Sequence, residues 1–152
     1  MMEGRVELVA LDQQNVKQLR RLNTVLFPFP FGEQYYQEPE TLAELARLAM
    51  VDGKHYAGAV RCSLDSQSDV LYIMSLGVLA PFRDLGIGSS LLSHALAYAA
   101  KCGVASVQLH VWTQNADAAA WYRSRGFREV LVVEHYYRKL DPHSAILMRK
   151  DL

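Results

Sequence analysis

Arg83-Asp84-Leu85-Gly86-Ile87-Gly88-Ser89-Ser90-Leu91-Leu92 decides the reading of this chain. It follows an apolar, strand-like run from Leu71 to Leu79. It opens a helix whose apolar residues recur at Leu91, Leu92, Ala95, Leu96 and Ala99 before Gly103. Two glycines let backbone N–H groups approach a ligand closely, and a helix N-terminus carries partial positive charge. Such a loop suits a phosphate group. A nucleotide P-loop fits poorly, because Gly88 is followed by Ser89-Ser90 and no lysine. A dinucleotide fingerprint fits poorly too. Leu91 stands at its third glycine, and the next strand, Ser106 to Trp112, carries Gln108 and His110 but no acid for a ribose.

Size and charge narrow the classes further. The chain has 152 residues, 51% hydrophobic and 21% charged, which is one domain's worth of core, expected to span 1–152. Lys+Arg and Asp+Glu both number 16, so no basic field favours nucleic acid or an anionic membrane. Two cysteines, Cys62 and Cys102, and five histidines show neither C-x-x-C nor zinc spacing, so no metal is expected. No signal-peptide core follows Met1, and no apolar run reaches membrane-spanning length. The expectation is a reduced intracellular protein, cytoplasmic, with the nucleus as a second location.

Working outward from the glycine loop gives the order of elements. Arg5 to Ala10 alternates as a strand; Asp12 is a candidate N-cap for a helix carrying Val16, Leu19, Leu22 and Leu26. Phe27-Pro28-Phe29-Pro30-Phe31-Gly32 cannot continue a helix. Tyr35 to Met50 reads as a second helix, with Leu42, Leu45 and Leu48 on one stripe. Asp52-Gly53 marks a hairpin between short strands around Met50 and from His55 to Ser63. Ala105 to Trp112 is a strand, and Asn115 to Arg125 a helix closed by Gly126. Val130 to Val133 and Ala145 to Met148 are the last strands. This order predicts an α/β fold, a mixed central sheet with helices on both faces.

Arg-x-x-Gly-x-Gly ahead of a helix resembles the pyrophosphate loop of the GNAT-type N-acetyltransferases, which hold acetyl-CoA. The order of elements is theirs as well, and Asn115-x-x-Ala118-x-x-x-Tyr122-x-x-x-Gly126-Phe127 is similar to a second signature of the family. The resemblance implies a GNAT fold. It implies cofactor contacts from Arg83, Asp84, Leu85, Gly86, Ile87, Gly88 and Ser89, from Asn115 near the pantetheine, and from Tyr122 near the sulfur. It further implies that the strand of Leu76, Gly77 and Val78 splays from that of His110, leaving unpaired backbone groups for the acetyl-pantetheine. CoA would be the released product.

A narrower resemblance rests on Phe27-Pro28, Tyr35-Tyr36, Leu71-Tyr72-Ile73-Met74, Leu76-Gly77-Val78-Leu79-Ala80-Pro81, Leu109-His110-Val111 and Tyr136-Tyr137. These runs look like the NatE-type catalytic subunits among N-terminal acetyltransferases, which acetylate the α-amine of proteins beginning with methionine. The implied catalytic residues are Tyr72, His110 and Tyr122. An α-amine has a pKa near ~8 and is mostly protonated at neutral pH. A histidine, near ~6.5, can take its proton, directly or through water. Tyr72, a poorer base, can hold that water, and Tyr122 can protonate the departing thiolate.

Acceptor binding is expected from Phe27, Pro28, Phe29, Phe31, Met74, Tyr136 and Tyr137. The loop departs from the family, which usually has a smaller residue at 29 and a tyrosine at 31. Phe31 therefore lacks a hydroxyl that would contact the peptide. The expected partners are protein N-termini, with the NatA complex as a further one. Two other readings stand beside this: an acetyltransferase for lysines or small amines, and a weakly active CoA-binding adaptor of NatA.

Overall fold

The structure, a computed structural model, describes residues 4–65 and 67–152. Its chain divides into two compact units, one comprising residues up to Cys62 with Ser75–Tyr98, the other Ser63–Met74 with Ala99–Leu152. Two strands and a helix run through both. These are β3 (His55–Asp65), β4 (Val70–Val78) and α2 (Ile87–Cys102).

In the first unit the strand order is β1-β2-β3-β4, with β1 (Val6–Ala10) and β2 (Ala46–Val51). The pairs β1/β2 and β2/β3 are antiparallel, and Leu48 faces both Val9 and Ala59. Asp52 and Gly53 turn the β2–β3 hairpin, both at positive φ, as the sequence predicts. Helix α1 (Val16–Leu26) buries Leu19 and Leu22 and stops at Phe27, whose extended backbone is what a residue before proline favours. Its N-terminus is set by a reciprocal pair. The Asp12 carboxylate accepts from the N–H groups of Gln14 and Asn15, and Asn15 Oδ1 accepts from Asp12 N–H. Helix α2 buries Leu91, Leu92 and Ala95 of the stripe read from the sequence, and Ile87 with them.

The helix expected from Tyr35 to Met50 is absent. Two 3-10 segments, Glu33–Tyr36 and Pro39–Leu45, occupy its first part, and β2 its last. The chain first leaves a helical path at Glu38, in the left-handed region at φ 48° immediately before Pro39. Ala43, at φ 49° and ψ −120°, breaks the chain a second time. Leu48, a residue of the supposed helical stripe, is completely buried in the sheet instead. Pairing on both edges of β2 outweighs the helix propensity of Ala and Leu, a weak preference of tenths of a kcal/mol per residue.

In the second unit the order is β4-β5-β7-β6, with β5 (Ser106–Trp112), β6 (Arg128–Val133) and β7 (Ala145–Asp151). The β5/β7 and β6/β7 pairs are antiparallel, and β4/β5 is parallel. Helix α3 (Ala116–Arg123) is capped by Asn115, whose Oδ1 accepts from Ala118 N–H at 3.1 Å. Gly126, at φ 92°, ends the turn that follows. Leu71, Val107, Leu109, Ala119, Phe127 and Met148 form the buried core.

Candidate active site

In the second unit, three rings meet. Tyr72 stands on β4 opposite Gln108 of β5, so His110, two residues further, projects from the same face of the sheet. The Tyr72 hydroxyl lies 2.5 Å from His110 Nδ1 and 2.9 Å from the Tyr136 hydroxyl. Tyr136 also stacks flat on the imidazole, with centroids 4.1 Å apart and planes at 16°. Tyr137 meets Tyr136 edge-on; its N–H donates to the His143 carbonyl, and its carbonyl accepts from His143 Nδ1.

Burial sets the electrostatics of this cluster. It holds the His110 pKa below the ordinary histidine value, because the imidazolium loses hydration. It pushes the Tyr72 hydroxyl well above the usual phenol range, with the bond to Tyr136 adding to the shift. Tyr137 is pushed up to about 12, by burial first and by Tyr136 second. Tyr72 therefore stays protonated and has one hydrogen to give. When it gives that hydrogen to Tyr136, its oxygen accepts from His110 Nδ1–H, and Nε2 carries the free lone pair. That is the tautomer able to accept a proton. The structure thus gives Tyr72 two protein partners, where the sequence reading has it holding a water.

The remaining expected residues of this unit sit on α3, at its N-cap, and on β4. Tyr122 is buried and packs edge-on against Trp121 and Phe127. Asn115 spends its side-chain oxygen on the cap of α3. Met74 shares the half-buried face of β4 with Tyr72. The β4/β5 ladder covers Val70–Tyr72 against Ser106–Gln108 and goes no further, although both strands continue.

The glycine loop and the aromatic loop both belong to the first unit. Arg83, Asp84, Leu85 and Gly86 are exposed, and Arg83 is tied down by a bond from Nε to the Val78 carbonyl at 3.2 Å. Gly86 sits at φ 75°, and a side chain there would meet nothing within 4 Å. The loop is therefore an open cradle at the start of α2, where a helix leaves its first N–H groups without intrahelical acceptors. Leu76, Gly77 and Val78 are half-buried. An open loop with donors at a helix N-terminus fits a pyrophosphate, and a half-buried strand next in sequence fits the arm attached to it.

Phe27 and Gly77 are brought together. A Cβ on Gly77 would fall 2.8 Å from Leu26 Cδ1 and 3.4 Å from the Phe27 ring, so only glycine lets the end of α1 lie this close to β4. Phe27, Phe29 and Phe31 form a triangle with centroids 5.5 to 5.7 Å apart, and Phe31 stacks on Tyr35 at 4.4 Å. Pro28 is exposed. Sequence reasoning missed what lies beneath these rings: Tyr35 bonded to the buried Ser75, and the buried Arg61 beside Tyr35. An arginine inside the apolar run of β3 was the available signal.

Cys62 is poorly suited to nucleophilic chemistry. Burial pushes the Cys62 thiol up to about 12, and Cys102 is exposed at the end of α2.

Residues 16–127 match the acetyltransferase (GNAT) family, and the chain belongs to that family. The GNAT fold expected from the sequence is the fold found. Among its relatives is a Danio rerio protein named N-alpha-acetyltransferase 50, 38% identical over 99% of this chain and 91% of that one. A Drosophila melanogaster protein described as probable N-acetyltransferase san is 37% identical over 100% of this chain and 84% of its own length. Arabidopsis thaliana Naa50, solved in complex with the bisubstrate analogue CoA-Ac-MVNAL, superposes with a TM-score of 0.89 at 36% identity, covering 97% of this chain and 99% of that one.

Proposed function

We propose that this chain transfers the acetyl group of acetyl-CoA to the α-amine of protein N-termini that begin with methionine, by direct attack in a ternary complex. The observation that carries the reading is the Tyr72–His110–Tyr136 cluster, whose geometry yields an oriented neutral imidazole. The similarity to an enzyme solved with a CoA-linked peptide beginning Met-Val supports the choice of acceptor.

Acetyl-CoA supplies the activated acetyl thioester. The chain's own residues do the rest. Backbone donors of Gly86, Ile87 and Gly88 at the start of α2 hold the pyrophosphate, and Leu76 to Val78 align the pantetheine arm. His110, neutral at physiological pH because burial disfavours its cation, takes the proton that the α-amine must lose. Tyr72 fixes the imidazole through Nδ1, and Tyr136 fixes both. Tyr122 serves the departing thiolate as acid. Phe27, Pro28 and Phe29 line the apolar slot for the methionine side chain, and Tyr136 and Tyr137 bond the peptide backbone. The same reading puts the chain in the cytoplasm, with the nucleus as a second location, and makes the NatA complex a partner; the two free thiols, Cys62 and Cys102, accord with a reducing compartment.

Purified protein should acetylate a Met-Leu-starting peptide with a higher kcat/KM than matched peptides starting with Ala or Glu. An apolar slot discriminates modestly among apolar first residues, by about 1–3 kcal/mol per methylene, and strongly against a buried charge. Phe27→Ala should raise KM for the Met-Leu peptide and leave acetyl-CoA binding intact. Equal kcat/KM for all three peptides would remove methionine from the proposal.

A further inference from the structure

Arg61 lies on β3 at 8% exposure, and among the described residues no carboxylate pairs with it. Its guanidinium donates through Nε to the Tyr35 carbonyl at 3.4 Å and through Nη1 to the Cys62 carbonyl. Its Cζ lies 5.4 Å from the centre of the Tyr35 ring. A buried cation without a counter-ion is a poor stabiliser, and an apolar residue of similar volume usually serves the fold as well or better. Its presence here needs a reason beyond packing.

The reason lies in what it holds. Tyr35 is 3% exposed, and its hydroxyl is hydrogen-bonded to Ser75 Oγ on β4. Its ring stacks on Phe31, which meets Phe27 and Phe29 edge-on. Tyr36, next in the chain, accepts from the buried Asn23 amide on α1 at 3.0 Å and has Arg20 over its ring at 4.1 Å. Ser75 is two residues before Gly77, against which Phe27 rests. The aromatic loop thus has one end closed by α1 and the other pinned, through Tyr35, to β3 and β4.

We propose that Arg61, Tyr35 and Ser75 are positioning residues that fix the loop from Phe27 to Phe31 against β4 and thereby set affinity for the acceptor N-terminus. This rests on the acceptor assignment made above. None of the three need touch substrate. Arg61 orients Tyr35 by its carbonyl and ring face, and Ser75 fixes the hydroxyl.

Tyr35→Phe keeps the ring and its stack on Phe31 while removing the bond to Ser75, and Ser75→Ala removes it from the other side. Each should raise KM for a Met-Leu peptide about tenfold, the size of one buried hydrogen bond, with kcat and acetyl-CoA affinity unchanged. The double variant should show the same tenfold effect as either single, because both delete one interaction. Amide hydrogen exchange of residues 27–36 should quicken by a similar factor, about tenfold, in all three variants while the rest of the unit keeps wild-type rates. Arg61→Met should keep the wild-type melting temperature and still raise KM and loop exchange.

Unchanged KM in both single variants overturns the proposal, as does faster exchange spread evenly over the unit, which would mark a merely structural role. A wild-type protein that acetylates no peptide would instead defeat the function assigned above. The exchange measurement would then decide the positioning claim alone, with unchanged loop exchange in Tyr35→Phe rejecting it.

Discussion

His110→Ala is expected to lower kcat by about 100-fold or more, the usual cost of losing a general base, with acetyl-CoA affinity unchanged. The effect should also show in the pH profile. In wild type the base is the neutral imidazole, and protonation abolishes it. Burial disfavours the imidazolium, so the acid limb of kcat/KM should fall below the ordinary histidine value near ~6.5. Activity is therefore kept as pH drops to that limb and lost below it. In His110→Ala this limb should vanish. Tyr72→Phe should also lower kcat, because it removes the partner that sets the Nδ1 tautomer. Rates of His110→Ala equal to wild type from pH 6 to 9 would take the histidine out of the mechanism.

Gly88→Glu is expected to abolish acetyl-CoA binding. At a hundredfold excess over Kd, acetyl-CoA should stabilise wild type by about 2.7 kcal/mol, and the variant should gain nothing. The substitution puts a carboxylate where the pyrophosphate would sit. It should not unfold the protein, since a negative charge in the first turn of a helix interacts favourably with its dipole. The unliganded variant should melt no lower than an ordinary surface substitution allows, and calorimetry should detect no binding heat. A ligand-induced melting shift equal to that of wild type would mean the α2 loop does not hold the cofactor.

Much of this fold was legible because its signals are local. The Asp52-Gly53 turn and the Gly126 turn follow from backbone requirements of one or two residues, and the α2 stripe from a spacing contained within one helix. The segment from Tyr35 to Met50 was not legible, because two long-range facts decide it. Ala46–Val51 pairs with both β1 and β3, and Leu48 is buried by partners 39 and 11 residues away, Val9 and Ala59. Nothing within the segment announces that pairing, and its Leu spacing satisfies a helix equally well.

The site divides in the same way. Tyr72 and His110 are paired in the sequence only through the family resemblance, since the residues alone read equally as a strand histidine and a core tyrosine. The bond between Tyr136 and Tyr72, and the stacking of Tyr136 on the imidazole, depend on a loop conformation that includes His135 at φ 59° and the His143 contacts to Tyr137. Composition carries no trace of that. The aromatic loop was read as a row of acceptor contacts, yet Phe27, Phe29 and Phe31 first satisfy one another. Phe31, without a hydroxyl, stacks its ring on Tyr35, an apolar contact that needs no polar tip.

The central claim, that the acceptor is an α-amine, is tested most directly by kcat/KM for two peptides of identical sequence, each starting with methionine and carrying one internal lysine. One has a free α-amine and the other an N-terminal block. The account predicts transfer to the free peptide, at its first residue by mass spectrometry, and little or none to the blocked one. Equal kcat/KM for both, with acetyl on the lysine, would contradict it.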